Sequence, residues 1–153
     1  MEDYNPHKNK IHKFLVHSYL AYFVLFLVGV YLDLVFKLKI FTSPAITYTG
    51  VFLLIFGSFL IIWAQYTSRN FKKDNVSMES FCHGPYCYIR HPTHLGFFLL
   101  LLGFGVVADA IFVILLSMVA FFASRLFFLK KEENIMEQKY GAPYFEYKKK
   151  VRF

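Results

Sequence analysis

Side chains that can bind metal or carry out acid–base chemistry are concentrated in CHGPYCYIRHPTHLG, residues 82–96, just before a run of leucine and phenylalanine. Four of them, Cys82, Cys87, His91 and His94, follow a C-x4-C-x3-H-x2-H spacing. Zinc sites usually contain a tight C-x2-C or H-x3-H pair, and this segment has neither. We therefore expect no metal ion here, and the chemistry depends on the elements that position the segment.

The elements around this segment are those of a membrane protein. The chain has 153 residues, of which 57% are hydrophobic and 21% aromatic, which leaves too little polar surface to cover a soluble domain of this size. About 20 apolar residues are needed to cross a bilayer, and residues 12–32 and 45–66 each supply such a run. Residues 96–129 are long enough for two short crossings that turn near residues 108–110, because Asp109 is costly inside lipid and tolerated at a turn.

The sequence therefore predicts an all-α integral membrane protein with four transmembrane helices. We expect a single domain, residues 1–153, with a motif-bearing core at 45–153. Past Leu129 the segment KKEENIMEQKYGAPYFEYKKKVRF is polar. It should be helical through about Lys139, stop at Gly141 and the proline after it, and continue as a short aromatic and basic segment.

The basic residues assign a side of the membrane to each end of the chain. With four crossings, both termini and the loop between the second and third helices share one side, which carries 15 of the 17 Lys and Arg residues. The positive-inside rule makes that side cytoplasmic. We expect cytoplasmic N- and C-termini, in the cell membrane or the endoplasmic reticulum, and no cleavable signal peptide. The net charge of +7 then reflects topology and contact with anionic headgroups, and no nucleic acid is expected because most aromatic residues lie in the apolar spans.

The same topology bears on Cys82 and Cys87. Both would lie on the cytoplasmic, reducing side, where disulfides are rare, so we predict two ordinary thiols near the interface. The histidines and Arg90 also have a plain interpretation, which is that they reach toward headgroups beside the third helix.

Two motifs carry a more specific hypothesis. GPYCYIRHPTHLG, residues 84–96, resembles the G-x-Y-x-x-x-R-H-P-x-Y-x-G signature of the isoprenylcysteine carboxyl methyltransferase and phospholipid methyltransferase superfamily of membrane enzymes. EENIMEQKYGAPYFEYKKKV, residues 132–151, is similar to that superfamily's second signature, a Glu pair, an aromatic-Gly and spaced tyrosines before a basic run. The resemblance covers roughly residues 45–153, with His94 where the superfamily has Tyr. It implies S-adenosylmethionine-dependent methyl transfer at the cytoplasmic membrane face.

The resemblance implies a set of cofactor-binding residues. Arg90 and His91 would serve the carboxylate and ribose of S-adenosylmethionine, since a guanidinium suits a bidentate grip. Glu132 would take the ammonium or the ribose hydroxyls, although a Glu pair beside lysines is also an ordinary solvated helix start. Tyr86 and Pro92 would contact the adenine. The full set comprises Phe81, Tyr86, Arg90, His91, Pro92, Thr93, His94, Glu132 and Glu133.

The acceptor implied first is a carboxylate of the isoprenylcysteine type, a lipophilic small molecule or lipid that would enter from the bilayer between the second and fourth helices. A carboxylate is already ionised, so no general base is needed and alignment and desolvation suffice. We expect Arg125, buried near the cytoplasmic end of the fourth helix, to hold the substrate carboxylate or phosphate. A phospholipid amine would instead have to lose a proton, with His94 or His91 as the base; a small thiol is a further possibility.

Two other protein classes compete with this hypothesis. Membrane sterol reductases, which bind NADPH, share weaker forms of the motifs but are much longer and have more helices. A non-catalytic membrane protein would use the basic tail on anionic lipid, and replacing His91 and Glu132 would leave its behaviour unchanged.

Overall fold

The computed structural model describes residues 6–39, 43–69 and 78–151, and within these ranges every regular element is helical. The α-helices are α1 (Pro6–Phe36), α2 (Pro44–Arg69), α3 (Met78–Phe81), α4 (Pro92–Val107), α5 (Ile111–Ala123), α6 (Lys130–Tyr140) and α7 (Ala142–Lys150). A 3₁₀ turn, Gly84–Cys87, precedes α4, and a π-helical segment, Ser124–Leu129, joins α5 to α6 without a break. The predicted all-α class is confirmed.

Three helical stretches in the described residues are long and apolar enough to cross a membrane: Val16–Phe36, Pro44–Arg69 and Ile111–Tyr140. Pro92–Val107 is apolar but shorter. The predicted hairpin is present, because α4 ends at Val107 and α5 begins at Ile111. The number of crossings and the side on which the termini lie stay predictions.

Glycines allow α2 and α4 to pack in close contact. Gly57 lies where a Cβ would come 2.8 Å from the carbonyl oxygen of Gly96 and 2.9 Å from the amide nitrogen of Leu100. About two helical turns away on each helix, a Cβ on Gly103 would come 2.7 Å from the carbonyl oxygen of Gly50. Small residues at such spacing let membrane helices approach through their backbones, so this contact fixes the start of α4 against the middle of α2.

The carboxylate of Asp33 in α1 caps the start of α5, next to the turn of the α4–α5 hairpin. Both oxygens of Asp33 accept backbone hydrogen bonds from the first turn of α5, from Phe112 at 3.1 Å and from Val113 at 3.0 Å. The amides at a helix start have no partner within the helix, and Asp33 satisfies two of them from a different helix. This contact ties α1 to the α4–α5 hairpin.

The π-helical segment places its two ends on the buried side of the helix. Ser124 and Leu129 are 3% and 9% exposed, whereas Arg125, Leu126 and Phe127 between them are exposed. The predicted burial of Arg125 is therefore wrong, because the residue lies on the outward side of this wide turn.

The C-terminal segment folds back as a helix. α6 ends at Gly141, as predicted, with φ at 63°. The residues that follow form α7, where we had expected only a short aromatic and basic segment. Tyr144, Tyr147 and Val151 pack with Phe81 of α3 in a buried cluster, so α7 covers the segment that leads into the first motif.

Candidate functional site

The two motifs meet at a cavity of about 1030 Å³. It lies where α2 ends, where α4 begins and where α6 leaves the apolar span, and α7 forms a further wall. Seven of the nine predicted cofactor residues line it, namely Phe81, Tyr86, Arg90, His91, Thr93, His94 and Glu132. Glu133 stands directly behind this wall, whereas Pro92 is fully buried at the start of α4 and Arg125 is not among the lining residues.

Glu133 is the centre of an ionic network that joins three parts of the chain. Its Oε1 lies 2.6 Å from Nη1 of Arg90 and 3.3 Å from Nε2 of His91, and its Oε2 lies 3.0 Å from Nζ of Lys148. Nζ of Lys148 also donates a hydrogen bond of 2.8 Å to Oε1 of Glu137, and this hydrogen bond raises the pKa of Lys148. The first motif, α6 and α7 are thus held together through one carboxylate that is 13% exposed.

Glu132 and His91 form the charged part of the cavity wall. Nδ1 of His91 lies 3.6 Å from Oε2 of Glu132, so the His91 ring is placed between the two carboxylates of the Glu pair. The Glu132 side chain is only 18% exposed although it lines the cavity. A solvated helix start does not describe these residues; the wall offers a carboxylate, a guanidinium and an imidazole to one enclosed space.

The segment before α4 is cross-linked, which the sequence did not predict. Cys82 and Cys87 form a disulfide, with their Cα atoms 4.3 Å apart. Our prediction of two free thiols was wrong because the 3₁₀ turn Gly84–Cys87 folds the chain back and brings the two cysteines together. The cross-link encloses His83, Gly84 and Tyr86, all of which line the cavity.

Gly84 begins this turn with φ at 54°, a conformation that side chains with a Cβ adopt at a cost. A Cβ here would also come 2.5 Å from Oγ1 of Thr67 and 3.1 Å from Nε1 of Trp63, both on α2. Gly84 is thus required both for the turn and for its contact with α2.

We expect Gly84→Ala to lower the free energy of unfolding by about 2 kcal/mol or more, because positive φ costs about 1–2 kcal/mol and the contact with α2 must also open. Gly84→Ala combined with Thr67→Ala is the control, measured against Thr67→Ala alone, because it keeps the backbone cost and removes the Oγ1 that the new Cβ would meet at 2.5 Å. Thermal unfolding in detergent would compare the losses caused by Gly84→Ala in the two backgrounds. Equal losses would contradict the steric role of Gly84.

Two tyrosines connect α7 to the 3₁₀ turn. The Tyr147 hydroxyl donates a hydrogen bond of 2.6 Å to the carbonyl oxygen of Tyr86. Burial raises the pKa of Tyr86 to about 12 and also raises the pKa of Tyr147. Both phenols therefore remain neutral at physiological pH and serve as hydrogen-bond donors and apolar walls.

Residues that the motifs do not contain complete the cavity. Tyr19 of α1 stacks on His94, with ring centroids 5.4 Å apart and planes inclined by 22°. Trp63 and residues 65–68 line the opposite side, at the end of α2. An aromatic residue at the end of an apolar helix is common at a membrane interface, so the sequence offered only a weak signal for these walls.

Comparison with known families and proteins gives one match. A family model described as phospholipid methyltransferase matches residues 45–143, a range that includes α2, the first motif, the hairpin and the Glu pair. No curated protein and no solved structure matches the chain. Because the matched range is well over half of the sequence, the chain belongs to the phospholipid methyltransferase family.

Proposed function

We propose that this protein transfers a methyl group from S-adenosylmethionine to a lipophilic acceptor at the membrane surface. The observation that carries the proposal is the cavity itself, which unites residues of both motifs at the end of apolar helices. Family membership supports methyl transfer in a membrane, and the family implies S-adenosylmethionine as donor.

The cavity suits this cofactor in size and charge. Ligand sites usually have volumes of about 300–1,000 Å³, and this cavity is at the upper end, which leaves space for part of an acceptor. The cofactor carries an ammonium, a sulfonium and a carboxylate, and the wall offers Glu132 for the cations and Arg90 with His91 for the anion. Tyr86, Phe81 and Tyr144 provide flat apolar surface for the adenine. When bound, S-adenosylmethionine supplies the electrophilic methyl group.

The acceptor that we propose first is a carboxylate on a lipid or isoprenoid chain. An ionised carboxylate oxygen attacks without a general base, so the protein has only to align the reactants and exclude water. α7 and its buried cluster cover one side of the cavity. Arg125 is exposed and is not among the residues that line the cavity, so its position does not support the acceptor-holding role expected of it.

A phospholipid amine is the second candidate, and the description of the matched family favours it. An amine has to lose a proton before or during attack, and His91 and His94 both line the cavity as possible bases. The two acceptors give chemically different products, because alkali releases methanol from a methyl ester and leaves an N-methyl group in place. Treatment with alkali therefore shows whether labelled methyl groups incorporated into membrane lipid are methyl esters or N-methyl groups.

Calorimetric titration with S-adenosylhomocysteine tests the proposed function. We expect wild-type protein to bind, and Glu132→Ala and His91→Ala each to weaken binding about 10- to 100-fold, since a hydrogen bond to a charged group contributes about 1.5–3 kcal/mol. Glu146→Ala is the control, because Glu146 lies on the exposed side of α7. Well-folded wild-type protein that does not bind would contradict the proposal, as would variants that bind like wild type.

A further inference from the structure

A row of buried polar groups lies beside the cavity, between three apolar helical stretches. Oγ of Ser18 in α1 lies 3.0 Å from Oγ of Ser124, and Oγ of Ser124 lies 3.4 Å from Nδ1 of His94. Ser18 is 1% exposed, and Ser124 and His94 are each 3% exposed. Three different elements, α1, the π-helical segment and α4, supply one member each, so the row forms only in the folded protein.

One direction of hydrogen bonding along this row leaves a proton for His94. Either hydroxyl of the Ser18–Ser124 pair can be the donor, and when Ser18 donates, the Ser124 hydroxyl keeps its own proton for a further acceptor. The Ser124 hydroxyl can then direct its own proton to Nδ1 of His94. A neutral imidazole that accepts at Nδ1 carries its proton at Nε2.

Nε2 of His94 has no hydrogen-bond partner among the described residues, which leaves it available to a ligand. In the described residues this atom is buried and has no hydrogen-bond partner, although His94 lines the cavity. A buried polar atom without a partner is costly. Tyr19 stacks on the ring and holds its plane.

The position of His94 separates its ligand from the charged groups of the cavity. His94 lies in the first turn of α4, three residues beyond His91, which immediately precedes that helix. The rings of His91 and His94 are 6.1 Å apart. The charged groups of S-adenosylmethionine suit Glu132 and His91, whereas His94, which packs against Tyr19 and Ser124 of two apolar spans, suits a lipophilic acceptor.

We propose that Nε2–H of His94 donates a hydrogen bond to the acceptor's carboxylate, and that Ser124 and Ser18 are positioning residues that fix this tautomer. The inference rests on the proposed function and deepens it by naming the acceptor subsite. One carboxylate oxygen forms the new bond to the methyl carbon as the carbon–sulfur bond breaks and sulfur keeps the electron pair. The other oxygen accepts the hydrogen bond from His94.

The same tautomer disfavours an amine acceptor. A neutral amine has one lone pair, which has to attack the methyl carbon, so a donor at this position competes for it. A base for an amine would need Nε2 without its proton, and the Ser18–Ser124 row holds the proton there. The tautomer of His94 therefore distinguishes the two acceptor classes.

Nitrogen NMR of protein labelled with ¹⁵N-histidine tests the tautomer directly, with His94→Gln used to assign the signal. We expect the Nε2–H form in wild type and a mixture of tautomers in Ser124→Ala. Ser117→Ala is a matched control, since Ser117 is equally buried at 3% but donates to the carbonyl of Ile114 in its own helix. An Nδ1–H form in wild type, or an unchanged signal in Ser124→Ala, would overturn the proposal.

A second measurement tests the ligand. With S-adenosylhomocysteine present, oleate is expected to shift the His94 Nε2–H signal and dodecylamine is not. We expect oleate affinity to fall about 10- to 100-fold in His94→Leu, less in His94→Gln, whose amide can still donate, and not in Ser117→Ala. A shift with the amine alone, or no shift with oleate, would overturn the subsite. Wild type that binds no S-adenosylhomocysteine would defeat the proposed function, while the tautomer measurement would still decide the role of the serine row.

Discussion

Exchanging Glu133 for Gln is expected to lower the free energy of unfolding by about 3–5 kcal/mol, the range seen when one partner of a buried ion pair is removed. The side chain keeps its shape, but the charge on which Arg90, His91 and Lys148 converge disappears. α7 loses its ionic contact with α6 at that point, and the cavity loses part of its cover. We expect S-adenosylhomocysteine affinity to fall with stability, which calorimetry and thermal unfolding in detergent would measure.

Glu137→Gln is the matched control for this prediction. Glu137 lies one turn further along α6, and its side chain is 31% exposed. Of the three basic side chains that contact Glu133, Glu137 contacts Lys148. Such a partly exposed pair contributes about 0–1 kcal/mol. Similar losses in the two variants would show that Glu133 contributes no more than a partly exposed acid, and the convergence of three basic side chains on it would then have no energetic effect.

Introducing Leu at Gly57 is expected to prevent α2 and α4 from packing and to cost more than about 3 kcal/mol. Overpacking in a core typically costs about 1–3 kcal/mol when side chains can adjust. Here the Cβ would come 2.8 Å and 2.9 Å from backbone atoms of Gly96 and Leu100, which no rotamer change can move. The start of α4, which carries Thr93 and His94, would be displaced from the end of α2.

Val51→Leu serves as the control on the same helix, because Val51 is 40% exposed and directed away from the core. We expect it to unfold at the wild-type temperature. Size-exclusion profiles and thermal unfolding would compare the two variants, and cofactor binding would follow for any that remain folded. If Gly57→Leu were as stable as Val51→Leu, the close contact between α2 and α4 would not be what positions the site.

The local features of the fold could be predicted from sequence. Asp109 in the middle of an apolar run indicated the hairpin turn, and Gly141 indicated the end of α6; the structure has both. Pro44 and Pro92 each begin a helix, where a missing backbone donor does no harm. These signals act within a few residues, so they do not depend on how the helices pack.

Contacts between distant segments could not be predicted in the same way. Nothing in the spacing of α1 indicated that Asp33 would cap α5, or that Ser18 and Tyr19 would reach His94. Such pairs depend on the relative rotation of helices, which a mostly apolar helix surface does not encode through its pattern. The disulfide and the outward position of Arg125 were missed for a different reason, since each depends on the geometry of a local turn, one 3₁₀ and one π.

Candidate site residues were easier to predict than the walls around them. The motifs contain the ionisable groups, and the cavity brings most of these together. The end of α2 and the aromatic face of α7 also line the cavity, but in sequence they are typical interfacial and basic segments. Their contribution became visible only through Gly84, which contacts α2, and Tyr147, which contacts the 3₁₀ turn.

The π-helical segment changes the register of the continuous helix that runs from α5 into α6. Inward positions follow intervals of three or four residues through Ser117, Ala120 and Ser124, and the π-helical turn Ser124–Leu129 then lengthens the interval to five residues. A helix advances about 100° per residue, so this interval acts as a one-residue insertion that rotates everything after it by that angle. Glu133 thereby comes onto the side that faces the first motif. Deleting one residue within the π-helical segment would restore a regular α-helical period and leave the apolar span intact. It would also rotate Glu133 away from Arg90, His91 and Lys148.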